Sequence, residues 1–327
     1  MSNQMSQSLP LVTIGIPTFN RAHSYLPQAL ESAVRQTYIN IEIIVADNCS
    51  TDSTESLVSA FNDPRIRYFR HPMNIGPFAN ADFCLDQARG DYFLLLHSDD
   101  MIDSDFIETC IAAIGNNSEV GVVRTGTRAI DENSRVQREA PNMVRGLSTE
   151  EFFRGWFSHK TPIYLCSTLF ATDKIRLIGG LKSKHYCLED AIAIARLAAL
   201  YGRVDVESMK ASFRYHGVNM GDSLPLSHWC EESHFLLDVM VDFVPNKRLV
   251  RQGGMRFFSN LCYRRVAVMK SRLRRFIGHF VVFRKFGYLH LPPPITRTIT
   301  KMTPSLLAGA LRTRVKRIAR SLARCES

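Results

Sequence analysis

The first hundred residues alternate β-branched apolar runs with stretches of helical spacing, and few folds accept that pattern. Leu11-Val-Thr-Ile-Gly-Ile-Pro17 has the composition of a strand. Tyr25 to Gln36 carries apolar residues at helical intervals, and Ile41-Glu-Ile-Ile-Val-Ala46 is a second strand that ends at Asp47. Ser50, Thr51 and Asp52 offer an N-cap before a helix over Leu57 to Phe61. A third strand is expected near Ile66 to Phe69, a helix around Phe78 to Ala88, and a further strand over Asp91 to Leu96. This order predicts an α/β fold: a Rossmann-like, mostly parallel sheet flanked by helices, with right-handed crossovers. No G-x-G-x-x-G follows the first strand, which argues against a dinucleotide-binding turn.

Open α/β sheets hold ligands at the carboxyl ends of their strands. In LLLHSDD, Leu94 to Asp100, an apolar strand runs into adjacent carboxylates at that end. Asp99 and Asp100 therefore point to a hard divalent cation gripping a phosphorylated substrate, although paired acids also serve as turn and capping residues. Beyond Asp100 the pattern is mixed. A helix is expected near Asp105 to Ile114, a strand near Val120 to Arg124, and a surface loop over the polar stretch Asp131 to Arg145. A helix over Ala191 to Leu200 follows Glu189-Asp190, with Asp190 well placed as its N-cap, and Val204 to Val206 is expected to return as a strand. Helices are expected from about Pro225 onward.

At 327 residues and 45% hydrophobic, the chain can bury one substantial core and carry a smaller appended region. The first ten residues lack a basic n-region and an apolar h-region, so a cytoplasmic protein is expected. Eight cysteines without a C-x-x-C pair fit reduced thiols. Charge divides the chain. Residues 246–327 hold 20 Lys and Arg against the single acid Glu326, whereas residues 1–245 hold 21 basic and 30 acidic residues. The apolar run Phe276 to Phe283 is far short of the roughly 20 residues a spanning helix needs. Further on, Leu306, Leu307, Ala310, Leu311, Val315, Ile318 and Leu322 fall on one side of a helix, with Arg312, Lys316, Arg317, Arg320 and Arg324 on the other. Such a helix suits an anionic surface, membrane lipid or a lipid-diphosphate-linked acceptor. No RNP motif or zinc knuckle accompanies the charge, so no nucleic acid is expected as a partner.

Six motifs occur in order: IGIPTFNR (Ile14 to Arg21), VADNCSTDST (Val45 to Thr54), NIGPFANA (Asn74 to Ala81), GDYFLLLHSDD (Gly90 to Asp100), LED (Leu188 to Asp190) and FRYHGVNMGDS (Phe213 to Ser223). The series resembles family 2 glycosyltransferases over roughly residues 10 to 223. That resemblance implies the GT-A fold, a nucleotide-diphosphate sugar as donor, a divalent metal (Mn2+ or Mg2+) and transfer with inversion to a glycan or lipid-linked acceptor. It divides the chain into a transferase domain over 10–225, with a nucleotide-sugar-binding half (10–104) and an acceptor-side half (105–225), and a basic helical C-terminal region over 226–327.

The resemblance also implies roles. Pro17, Thr18, Phe19 and Asn20 form the turn that borders the donor's base, Asp47 accepts a hydrogen bond from it, and Arg21 is either a phosphate contact or a solvated charge. Asn74 and Gly76 belong to the donor side. The family's acidic motif is commonly D-x-D; here His97 stands at its first position, Ser98 at its second and Asp99 at its last, the metal-binding one. Asp100 either helps through water or caps the next helix. Asp190 matches the general base, with Glu189 beside it. His216 is placed to ligate metal or touch the diphosphate, Asn219 and Ser223 extend the same match, and Gly217 and Gly221 offer hinges. Ser167 and Thr168 face the acceptor side by analogy. Two rivals use the same residues: a GT-like binding module that has lost activity through His97, and a nucleotidyltransferase.

Overall fold

The computed structural model describes residues 9–115, 117, 119–216 and 224–287. The chain forms two compact units, one up to Gly254 and the other from Met255.

In the first unit, β1 (Val12–Thr18), α1 (Leu26–Val34), β2 (Ile41–Asp47), α2 (Thr54–Ala60), β3 (Ile66–Arg70), α3 (Pro77–Gln87) and β4 (Tyr92–Leu95) follow the alternation read from the sequence. β1 lies parallel to both β2 and β4, and β2 parallel to β3. Every residue of β2 and β4 is buried, because helices cover both sheet faces and leave no solvent side to demand polar alternation. α1 buries Leu26, Leu30 and Ala33 in the cluster that holds Ile14, Ile16, Ile43 and Leu94. Each such Leu or Ile contributes roughly 1.5–3 kcal/mol relative to exposure. α3 sits very close to β1: a Cβ on Gly15 would come within 2.7 Å of the Cys84 Cβ.

The remaining elements are β5 (Met101–Ile102), α4 (Phe106–Ile114), β6 (Val122–Ile130), β7 (Val136–Ala140), α5 (Thr149–Phe157), β8 (Thr168–Ala171), α6 (Thr172–Leu177), α7 (Glu189–Leu200), β9 (Arg203–Arg214) and α8 (Leu226–Asp242). The sheet runs β3-β2-β1-β4-β8-β6-β9-β5, with β7 on β6. β8 enters antiparallel to both β4 and β6, so the sheet is mixed beyond its parallel first half. Successive strands run outward from β1 to β3, then β4 returns to the other side of β1. The strand order thus reverses between β1 and β4, where ligands bind in open α/β sheets.

Two stretches differ from the sequence reading. Part of the polar segment expected as a loop is β7, whose Val136 to Glu139 are exposed; it joins the sheet by its backbone ladder with β6 and has no apolar face to announce it. β9 is far longer than Val204 to Val206, because its parallel register with β6 carries polar residues through to Arg214.

α9 (Lys247–Ala267) and α10 (Arg272–Phe286) are the last helices among the described residues. In the second unit Tyr263 stacks on His279 of α10 at 5.7 Å. The amphipathic segment read at residues 306–322 lies outside the described residues. Among the described residues no helix is long and apolar enough to cross a membrane.

Candidate active site

The turn after β1 is bound to the turn after β2. Asn20, in the left-handed region at φ 51° that asparagine tolerates, accepts the Thr51 N–H on Oδ1 at 2.8 Å and donates its own N–H to Ser50 Oγ at 2.9 Å. Ala22 N–H donates to Asp52 at 3.0 Å, so Asp52 ties the two turns together, while the residue at the N-cap position of α2 is Ser53. Asp47 is 1% exposed. Its Oδ1 accepts the Ser50 N–H at 2.9 Å and its Oδ2 the Tyr68 hydroxyl at 2.6 Å. Asn48 donates to Asn74 Oδ1 at 2.9 Å and accepts from Ile75 N–H at 2.8 Å, which fixes the loop that reaches Gly76 at φ 89°. Thr18 Oγ1 is buried with no hydrogen-bond partner among the described residues. Phe19 is exposed at the tip of the turn.

β4 ends at Leu95 and the chain turns through His97, Ser98, Asp99 and Asp100. His97, Asp99 and Asp100 each offer one ligand atom within 4.8 Å of the others. The neighbouring carboxylates do different work. Asp100 is 2% exposed, and its Oδ1 accepts the Arg214 N–H at 2.9 Å. Burial, with the Asp99 charge alongside, pushes its carboxyl well above the ordinary range. The sequence alternative that Asp100 caps the next helix does not hold: Asp105 occupies that position, and Asp100 anchors the end of β9. Burial works to raise Asp99 too, but His97, the His216 hydrogen bond and Arg21 outweigh it and hold that carboxyl below its ordinary range. Burial lowers the His97 imidazole against the pull of Asp99, which favours the neutral ring. An ionised carboxylate, a neutral imidazole and a second carboxyl in this cluster fit a divalent ion such as Mn2+.

His216 Nε2 lies 2.9 Å from Asp99 Oδ2, and the His216 ring stacks on Tyr25 at 5.3 Å. Arg214 holds this corner together. It is 1% exposed, lies over the Tyr25 ring at 4.5 Å, and donates to the Asp99 carbonyl at 2.8 Å and to Gln28 Oε1 at 2.7 Å. Asn219, Ser223, Gly217 and Gly221 lie outside the described residues.

Glu189 and Asp190 are the first two residues of α7, and Leu188 stands at the N-cap. The sequence reading of Asp190 as that cap is therefore corrected: it lies inside the first turn, and its Oδ1 accepts the adjacent Ala191 N–H at 2.6 Å. The segment that leads into α7 is held instead by Glu232 of α8, distant in sequence. Glu232 is 2% exposed; its Oε2 accepts the Cys187 and Leu188 N–H groups at 2.9 Å each and its Oε1 accepts that of His185. Phe78, at the start of α3, stacks on Tyr186 at 4.2 Å and brings the Gly76 loop against the same segment. Removing the Glu232 acceptor orphans three amides, so Glu232→Ala is expected to lower unfolding free energy by about 2–4 kcal/mol, read by urea denaturation. Glu232→Gln keeps one acceptor oxygen and should recover part of that loss.

Burial pushes the Glu189 carboxyl up to about 8, with the Asp190 charge adding to the effect, and Glu189 Oε2 has no partner among the described residues. Burial likewise pushes Asp190 up to about 6, against the Ala191 N–H; Glu232 adds to the rise and Arg124 opposes it. Arg124 is fully buried, near Asp205 at 3.8 Å, and burial pushes it down to about 10. Ser167 and Thr168 are buried, each with its hydroxyl on the Tyr164 carbonyl, at 3.2 and 2.8 Å.

The sequence model of glycosyl transferase family 2 matches residues 13–178. The chain belongs to this family. The match spans the turn after β1, Asp47 and the acidic motif. The succinoglycan biosynthesis protein ExoO of Rhizobium meliloti is 28% identical over 219 residues, covering 64% of this chain and 61% of the relative. The transferase thus spans less than two thirds of that relative's length. Staphylococcus aureus TarS (residues 1–349), solved with UDP-GlcNAc, superposes with a TM-score of 0.58 at 14% identity, over 84% of this chain and 89% of that one. The mannosyltransferase PcManGT of Pyrobaculum calidifontis, solved with GDP-Man and Mn2+, superposes with a TM-score of 0.54 at 15% identity, over 95% and 81%. These likenesses establish the GT-A fold of the transferase.

Arg214, Tyr25, Tyr68 and Glu232 were not singled out from the sequence. Arg214 falls inside the FRYHGVN motif and carried a signal there; Glu232 had none, because α8 meets the segment before α7 only in three dimensions.

Proposed function

We propose that this glycosyltransferase moves a sugar, with inversion, from a nucleotide-diphosphate sugar to a hydroxyl of a glycan or lipid-linked acceptor, building a surface polysaccharide or glycolipid at the inner face of the cytoplasmic membrane. The observation that carries the reading is Asp99, a carboxylate held ionised at the end of β4 within a cluster whose donor atoms fit a divalent metal. Asp99 and His97 would hold that metal, with His216 beside them. When bound, the ion neutralises charge on the departing nucleotide diphosphate.

The remaining steps belong to the chain's own groups. Asp47 spends one lone pair of each oxygen on Ser50 and Tyr68, which leaves acceptor capacity for a base N–H. Thr18 Oγ1 supplies an unpaired hydroxyl beside that turn. On the acceptor side, Asp190 takes the proton of the acceptor hydroxyl. That oxygen's lone pair forms the new bond to the anomeric carbon as the bond to the diphosphate oxygen breaks with its electron pair. One displacement inverts the stereocentre. A pKa of about 6 leaves Asp190 ionised at neutral pH yet more basic than an ordinary aspartate. The ExoO likeness supports a polysaccharide product, and the basic residues from 246 onward support an anionic membrane surface.

Melting the protein with UDP, GDP, dTDP and CMP in turn, each with Mn2+ and again with chelator, tests the reading. A ligand at 100 times its Kd stabilises by about 2.7 kcal/mol. One nucleotide is expected to raise Tm only with the metal, and it names the donor. A folded protein that shifts with none of them would instead be a binding module that has left catalysis behind.

A further inference from the structure

α10 presents an apolar stripe to solvent on the side away from its buried face. Gly278, Val282 and Phe286 are buried, whereas Leu273, Phe276, Ile277 and Phe280 are 67, 74, 51 and 61% exposed. The exposed set falls at i, i+3, i+4 and i+7, the spacing of one helix face, and at about 100° per residue it lies opposite the buried set. Four adjacent large apolar residues in water are costly, and contiguous exposed patches of this kind mark interaction surfaces. Bases frame the stripe: Arg272 on one side, Arg274 on the other, and Arg284 one turn beyond Phe280.

We infer that this stripe is the part of the transferase that enters a membrane, with Phe276 and Phe280 among the acyl chains and the flanking arginines on anionic headgroups. The inference rests on the membrane reading proposed above and names the segment responsible. Charge selects this occupant. A second copy would bring the same arginines against these ones, and residues 288–327 of the chain itself carry eight Lys and Arg against one acid. An anionic bilayer offers an apolar interior beneath a negative surface, which matches an apolar stripe edged with bases. Because no described helix is long and apolar enough to cross, lying in the interface is the mode α10 can use.

The experiment sediments the full-length protein with vesicles of phosphatidylcholine alone or mixed with phosphatidylglycerol. The wild type is expected to follow the anionic vesicles and ignore the neutral ones. The double variant Phe276→Ser/Phe280→Ser should bind the anionic vesicles about tenfold less or weaker still. Its Tm and its nucleotide response should not change, since both side chains already face water. Phe276→Trp gives a second reading, an emission blue shift on adding anionic vesicles. A wild type that ignores anionic vesicles removes the membrane reading together with this assignment. Undiminished vesicle binding by the double variant overturns the assignment to α10 alone. A concentration-dependent dimer, lost in the double variant and accompanied by no vesicle binding, identifies the stripe as a contact between copies and overturns the inference.

Discussion

Asp190→Asn is expected to lower kcat by about 10³-fold while the nucleotide-and-metal shift in Tm is kept. On the proposed mechanism the amide cannot take the acceptor proton, but the donor side, built from β1, β2 and β4, is untouched. The pH profile carries independent information. Asp190 works only when deprotonated, and burial has raised its carboxyl to about 6, so the rate should climb as pH rises through that value. An ordinary surface aspartate would put the same limb near about 4. Glu189, pushed up to about 8, is mostly protonated at neutral pH, so Glu189→Gln should keep most activity there. A steady-state rate for Asp190→Asn equal to the parent's would reject the assigned base. Stability runs the other way. Both carboxyls bind protons more tightly folded than unfolded, so their contribution is present below about pH 4 and is lost as pH rises through about 6 and 8. Asp190→Asn should therefore melt about 2–4 °C above the parent at pH 8 and level with it at pH 4.

Asp99→Asn should reduce kcat by about 10²–10³-fold and abolish the metal-dependent part of the nucleotide shift. The reason is charge more than shape. An asparagine still places an oxygen or an N–H opposite His216, so the corner formed by His216, Tyr25 and Arg214 should persist. What disappears is the ionised oxygen that His97, His216 and Arg21 hold below its ordinary pKa. Isothermal titration with Mn2+ and the cognate nucleotide checks the point directly. Unaltered metal-linked nucleotide affinity in Asp99→Asn would move the ligand role away from this residue. Asp100→Asn should behave differently, because Asp100 spends an oxygen on the Arg214 N–H and its carboxyl is pushed up by burial, so less charge is lost from the cluster than at Asp99.

Much of the first half could be read from the residues because its signals are local. β1, β2 and β4 are apolar runs of strand length, the helices between them carry apolar residues at helical intervals, and each strand ends on a polar turn of the candidate site. The second half resisted that reading. β7 and the outer part of β9 join the sheet through backbone ladders along polar segments, and β6 carries Arg124, Thr125 and Thr127 into the interior, where apolar periodicity would exclude them. Residue by residue, the motifs named His97, Asp99, Glu189 and Asp190 as candidates. Their division of labour was not written there.

The order of motifs and the strand-helix alternation, both local properties of the chain, determined the family and named the candidate residues. Tertiary structure decided the surroundings of each group. Asp99 and Asp100 are adjacent in sequence, yet the end of β9 gives one a histidine partner and the other a backbone amide, and burial separates their protonation. Asp190 sits inside the first turn of α7, while Glu232, brought across by α8, holds the amides just before that helix. The stripe on α10 is exposed because only its opposite face found a core. Hydrogen-bond partners and desolvation depend on which distant segments meet, and that information is absent from local spacing.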